Sequence, residues 1–302
     1  MSVLAADSLE GRRAGSEGSR IAARLIAEQF ERAGLEPAGD SGFFQRVPLR
    51  AVSRPAGRTR IRSLPSWSDF DSLPPAERVV ETNVIGILPG SDADLSREYV
   101  LVTAHFDHVG IGRPVEGDSI YNGADDDASG VVGLIEIARA LESAPPRRTV
   151  VFAAMAGEEL GLLGTRWYVG HPAVPLAATV AALNLEMIGR PDTAIGPGRA
   201  WLTGYERTTM GSILTDAGLA IDLDPRPGQG FYERSDNIAF ARIGIPAHTL
   251  SSFGMHPDYH SPDDEVERID FDHLEAVIGV AADAVRILAD GPTPDWSPGG
   301  QP

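Results

Sequence analysis

The sequence predicts a single α/β domain with three layers, α/β/α, around a central mixed, mostly parallel sheet. Three observations predict it. Runs such as residues 100–104 (VLVTA) and 149–156 (TVVFAAMA) are apolar at successive positions, as strands covered on both faces are. Segments of helical length and helical apolar spacing separate these runs. Clusters of carboxylates and histidines fall where the runs end, at the edge where open α/β sheets bind ligands.

Taken in order, residues 17–33 place Ile21, Leu25, Ile26 and Phe30 on one helical face, and Gly34 stops the helix. Residues 43–51 alternate weakly, as an edge strand does. Residues 53–82 are rich in Pro and Arg and show little periodicity, so an irregular insertion is expected there, too short for a separate domain. From Asn83 onward strands are expected at 83–88, 99–104, 149–155, 179–185 and 245–250. Helices are expected at 129–141, 160–169, 207–217 and 271–288. No internal repeat is evident. The domain is drawn at residues 1–290, followed by a Pro- and Gly-rich tail, 291–302, that is expected to be flexible.

Composition narrows the function. The 43 acidic residues outnumber 26 basic ones, for a formal net charge of −17. Such a surface repels phosphate backbones, which sets nucleic acid aside as a partner. The chain has no cysteine, so disulfides, thiolate zinc sites and cysteine nucleophiles are excluded. No apolar run approaches the roughly 20 residues that cross a bilayer. Residues 1–13 carry no basic segment followed by an apolar stretch, so no secretory signal is expected in this chain, though one trimmed from a precursor is compatible with it.

Each polar cluster has an ordinary reading by itself. Asp125, Asp126 and Asp127 read as a solvated turn capping the next helix, Glu158 and Glu159 as surface, His105 as a hydrogen-bonded histidine at the edge of the core. Glu186 is harder to dismiss, because it follows an apolar strand that an unpaired carboxylate does not enter. Together, two imidazoles and several carboxylates without a thiolate suit zinc or a similar divalent ion. Asp126, Glu159, Glu186 and a hydroxide would balance two such ions.

Five strings carry a specific resemblance: AHFDH at 104–108, YNGADDDASG at 121–130, EELGLLG at 158–164, NLEMIG at 184–189 and YHSPD at 259–263. In this order and at these gaps they resemble the M28 metallopeptidases, over roughly residues 83–290. The stretch from Leu9 to Leu35 resembles the family's N-terminal helix. The resemblance implies the zinc exopeptidase fold in a compact form without a protease-associated domain. It implies an aminopeptidase that releases N-terminal residues from peptides with two Zn2+ ions per chain. By motif, His105 and Glu186 would hold one metal, Glu159 and His260 the other, and Asp126 would bridge them. Glu158 would be the general base, Asp107 would hold the second ring nitrogen of His105, and Tyr259 would donate to the oxyanion. The peptide bond after Asp126 is expected to be cis. His108, His248 and His256 lie near these strings and are not assigned as ligands. Two departures stand out: Glu186 where many relatives have Asp, and Asn237 where the SDN string often ends in His. A carboxypeptidase or dipeptidase of the same fold, a metal-free binding module and a glutaminyl-cyclase-like transferase are the alternatives. The resemblance also implies an exported mature form, with a cytoplasmic one as the alternative.

Overall fold

The structure is a computed structural model that describes residues 1–53 and 59–302. Its helices are α1 (Glu17–Arg32), α2 (Trp67–Ser72), α3 (Gly130–Glu142), α4 (Leu163–Gly170), α5 (Met210–Asp216), α6 (Asn237–Ala241) and α7 (Phe271–Asp290). Its strands are β1 (Glu36–Pro37), β2 (Phe44–Ser53), β3 (Thr59–Ser63), β4 (Arg78–Leu88), β5 (Tyr99–His105), β6 (Gly110–Val115), β7 (Asp118–Tyr121), β8 (Thr149–Met155), β9 (Thr179–Leu185), β10 (Ala200–Leu202), β11 (Ile221–Leu223) and β12 (Ala247–Ser251).

The main sheet runs β11-β10-β12-β9-β5-β8-β4-β2-β3, with β1 pairing β4. Parallel pairing joins the central strands β12, β9, β5 and β8, and also β10 to β11. The flank β8-β4-β2-β3 is antiparallel, so the sheet is mixed. Alternate residues of the central strands feed two cores. Val100, Val102, Val150 and Phe152 join a core with Ile26 and Phe30 of α1, Leu134 of α3 and Val285 of α7. Leu101, Val151 and Ala153 point to the other side, against Tyr168 of α4 and Phe240 of α6. That two-sided burial is why these strands read as continuous apolar runs rather than alternating ones.

Local signals fix the helix ends. The Ser16 hydroxyl accepts the Ser19 N–H at 3.1 Å to open α1, and the Asp270 carboxylate accepts the His273 N–H at 3.0 Å to open α7. Helix α4 begins at Leu163, later than the apolar spacing predicts, because Gly161 and Leu162 both take positive φ and break the turn.

Three expectations are corrected. Residues 53–82 are not irregular throughout: β3 pairs with β2, α2 packs beside it, and β4 begins at Arg78, opposite Arg50. Residues 54–58 of that stretch lie outside the described residues. The strand at residues 43–51 is not at the sheet edge, since β3 covers it. The segment after Asp290 is docked rather than loose. The Trp296 indole donates to the Gly244 carbonyl at 2.8 Å, and the Arg207 guanidinium to that of Gly300 at 2.9 Å. None of the described helices is long and apolar enough to cross a membrane.

Candidate metal centre

Because β8, β5, β9 and β12 run parallel, their carboxyl ends share one edge. His105 is the last residue of β5, Glu158 and Glu159 follow β8, and Glu186 follows β9 directly. The loop after β12 carries His256, Tyr259 and His260, and the Asp125–Asp127 turn arrives ahead of α3. Gly157, at φ 72, makes the turn that brings Glu158 and Glu159 round from β8.

The three successive aspartates are all buried, and hydrogen bonds sort them. Asp125 accepts the Gly189 N–H at 2.7 Å with one oxygen and meets His256 Nε2 at 3.0 Å with the other. Asp127 Oδ1 accepts the N–H groups of Gly130 and Met187, at 3.1 and 3.0 Å, so it caps α3 and anchors the loop after β9. Asp126 instead faces imidazoles. Its Oδ1 lies 3.3 Å from His105 Nε2, while its Oδ2 lies 3.1 Å from His260 Nε2 and 3.7 Å from His108 Nδ1. Its main chain is held by Asp264, whose carboxylate accepts the N–H groups of Asp125 and Asp126 at 2.9 and 3.0 Å. The Asp126–Asp127 peptide bond is cis.

Glu159 Oε1 stands 3.0 Å from His260 Nε2 and 2.8 Å from His108 Nδ1. His108, Asp126, Glu159 and His260 thus bring one donor atom each to within 4.8 Å of one another. Glu158, Glu186 and Tyr259 line the same cleft, with Asp126, Glu159 and His260. The Tyr259 ring stacks on that of His260, with centroids 4.0 Å apart. Asp107 differs from expectation. Its carboxylate is 3.8 Å from His105 Nδ1, too far for a hydrogen bond, and accepts the Glu158 N–H at 3.0 Å instead. The partner of His105 Nδ1 is the main-chain carbonyl of Asp107, at 3.1 Å. Asp107 therefore orients both residues, one through its backbone and one through its side chain.

Charge is costly at this edge. Burial, eased by His105, pushes Asp107 and Glu186 each up to about 7. Burial also raises Glu158 well above the usual carboxylate range, relieved by His105 and reinforced by Glu186, Asp236 and Glu159. Burial opposes charging of His260, yet Asp126 and Glu159 outweigh it and lift the ring to about 10. A divalent cation reverses this logic, because it stabilises ionised carboxylates and takes imidazoles in their neutral form.

The residues fit such an ion. His105 Nε2, His108 Nδ1, Asp126 Oδ2 and Glu159 Oε1 are buried without a hydrogen-bond partner, which is expensive unless something else satisfies them. The donors are all nitrogen and oxygen, the set that zinc accepts in the absence of thiolates.

The model of peptidase family M28 matches residues 83–285, about two thirds of the chain. The chain belongs to that family. Among similar proteins, aminopeptidase YwaD of Bacillus subtilis is 29% identical over 213 residues, covering 64% of this chain and 41% of that protein. A probable zinc metalloprotease of Pyrenophora tritici-repentis is 35% identical over 186 residues, covering 57% and 42%. The chain thus spans less than half the length of these two relatives. In fold it resembles the crystal structure of a Bacillus subtilis zinc aminopeptidase, with a TM-score of 0.73 at 18% identity over 96% of this chain and 93% of that one.

In this M28 chain part of the cleft lining is aromatic. Trp201, Phe231 and Phe253 form a small buried cluster with Met187 and border the cleft. Arg234, exposed on the same wall, holds its guanidinium over the Phe231 ring at 5.1 Å. The sequence reading missed these residues. They come from β10, from the turn before α6 and from the loop after β12, with no common periodicity to betray them. Only Met187, adjacent to Glu186, sits inside a recognisable string. Asn237 is part of the framework: it accepts from the Thr249 hydroxyl and donates to the Tyr232 carbonyl, both at 2.9 Å.

Proposed function

We propose that the chain is a two-zinc aminopeptidase that releases N-terminal residues from peptides. The observation that carries the reading is the division of Asp126, one oxygen toward His105 and the other toward His260. A carboxylate placed between two imidazoles is arranged to bridge two cations. His105, Asp126 and Glu186 would hold one zinc ion, and Asp126, Glu159 and His260 the other. When bound, zinc supplies Lewis-acid polarisation of the scissile carbonyl and acidifies a water molecule.

The rest of the work belongs to side chains. The Glu158 carboxylate takes a proton from the attacking water, whose oxygen adds to the carbonyl carbon. Glu158 then returns that proton to the amide nitrogen as the carbon–nitrogen bond breaks and the amine departs. Tyr259 offers its hydroxyl to the oxygen that becomes negative. The carboxylates of Glu158 and Glu186 suit a positively charged substrate amine, and the aromatic wall suits an apolar first side chain. Metal analysis combined with matched free and N-acetylated peptides tests the reading. We expect about two zinc ions per chain and activity that acetylation abolishes. A second reading, a carboxypeptidase or dipeptidase, is favoured by one observation, the Arg234 cation on the cleft wall, which could meet a terminal carboxylate. Efficient cleavage of N-acetylated peptides from their carboxyl end would select it.

A further inference from the structure

The geometry points to His108 as a fourth protein ligand of the ion held by Asp126, Glu159 and His260, which makes the two zinc positions unequal. The inference rests on the two-zinc reading and deepens it. His108 is 1% exposed, and a buried imidazole ordinarily satisfies its nitrogens with hydrogen bonds. Neither nitrogen of His108 has such a partner. Its Nδ1 approaches Glu159 Oε1 to 2.8 Å without the angles of a hydrogen bond and lies 3.7 Å from Asp126 Oδ2. The same two oxygens stand 3.0 and 3.1 Å from His260 Nε2.

These separations, 2.8 to 3.7 Å, bracket the edge of a tetrahedron of donors around one ion. With zinc bonds of about 2.0–2.2 Å, neighbouring donors stand about 3.3–3.6 Å apart. The place for the ring is built into the backbone. Gly123 sits at φ +59, and a Cβ there would meet the Asp126 carbonyl oxygen first, and Cγ and Cδ2 of His108 at 2.6 Å. Glycine there admits both the turn that carries Asp126 and the ring of His108 packed against it.

The consequence is a division of labour. One position has two imidazoles and two carboxylates, the closed complement of a tightly held zinc ion. The other has His105, Asp126 and Glu186, three ligands, as open catalytic sites do. The position with His108 therefore fills first.

The test follows the ring nitrogens of wild-type protein labelled with 15N-histidine through a zinc titration by NMR. The first equivalent should move His108 Nδ1 and His260 Nε2 to metal-bound shifts, with the His108 proton fixed on Nε2, and the second should move His105. In parallel, zinc competition against a chelator compares wild type with His108→Ala and His108→Gln. Each variant should weaken one position at least about tenfold. If zinc fills two positions while the His108 nitrogens stay unmoved, or both variants keep the wild-type affinities, the inference fails alone. If wild type binds no zinc, the two-zinc reading fails with it. The wild-type titration decides the matter even should both variants misfold.

Discussion

Glu158 and Glu159 are adjacent in sequence, but only Glu159 approaches the imidazoles of His108 and His260, while Glu158 stands on the cleft wall with its N–H on Asp107. Under the two-zinc reading, Glu158→Gln should therefore keep both metals and lose about 10²- to 10⁴-fold in kcat, the worth of a positioned proton transfer. Glu159→Gln should release one ion and regain part of its activity at high zinc. Metal content and kcat for both variants check this, and a Glu158→Gln protein that sheds a metal would reverse the two roles. The residue types that meet at the cleft were legible in the sequence, because a carboxylate closing an apolar strand has few other uses. The physical basis for sorting Asp125, Asp126 and Asp127 was not, although the resemblance singled out Asp126. That sorting depends on N–H groups at Met187 and Gly189, which arrive from a distant loop and occupy the oxygens of Asp127 and Asp125. Of the solvated, helix-capping turn, only the cap holds, at Asp127, and that residue is buried rather than solvated. Asp107 was misjudged because a motif cannot say whether a residue works through its side chain or its carbonyl.

At the scale of elements, two buried groups hold the ligand-bearing segments in place. Arg12, 1% exposed, donates to the carbonyls of Phe106, Leu4, Asn122 and Gly123, tying the N-terminal segment to the loops on either side of the hairpin β6–β7. Arg12→Met leaves those carbonyls unpaired, so unfolding in urea should show a loss of about 3–5 kcal/mol. A loss below about 1 kcal/mol would mean that water replaces the guanidinium. On β12, His248 is buried between the Thr203 carbonyl at 2.6 Å and the Thr208 hydroxyl at 2.7 Å. Burial lowers it to about 4, opposed by the Thr203 bond and by Glu206, with Arg207 assisting. A histidine depressed in the folded state is neutral there but takes a proton when unfolded. Its contribution is therefore intact above the unfolded value near 6.5 and is lost as pH falls from there toward 4. With zinc chelated throughout, the stability difference between wild type and His248→Gln should shrink by about 2–3 kcal/mol from pH 7 to 4.5. A constant difference would mean that His248 is not neutral in the fold. Element boundaries show the same limits of local reading. Long strands and α7 were legible from apolar runs, whereas β10 and β11, three residues each, carry no periodicity and exist because the sheet pairs them.

At the scale of the whole molecule, the layered α/β fold was legible because both faces of the central strands are buried, which writes itself into composition. The antiparallel flank was not, because β4 begins within a stretch whose Pro and Arg content hides its pairing with β2. The fold gathers Asp126, Glu158, Glu159 and Glu186 at one cleft, so filling it with cations should stabilise the entire chain. Zinc at a hundredfold excess over its dissociation constant should raise the thermal midpoint by about 4 °C for each position filled. A midpoint that ignores zinc across a titration would remove the metals from the folding equilibrium. The shared carboxylate of Asp126 adds a last consequence. One carboxylate cannot lend its full charge twice, so under the two-zinc reading an ion at either position loosens its neighbour, and the same factor must apply in both directions. Loading is then negatively cooperative, and over a broad range of free zinc the resting form of the chain is a one-ion species awaiting its second.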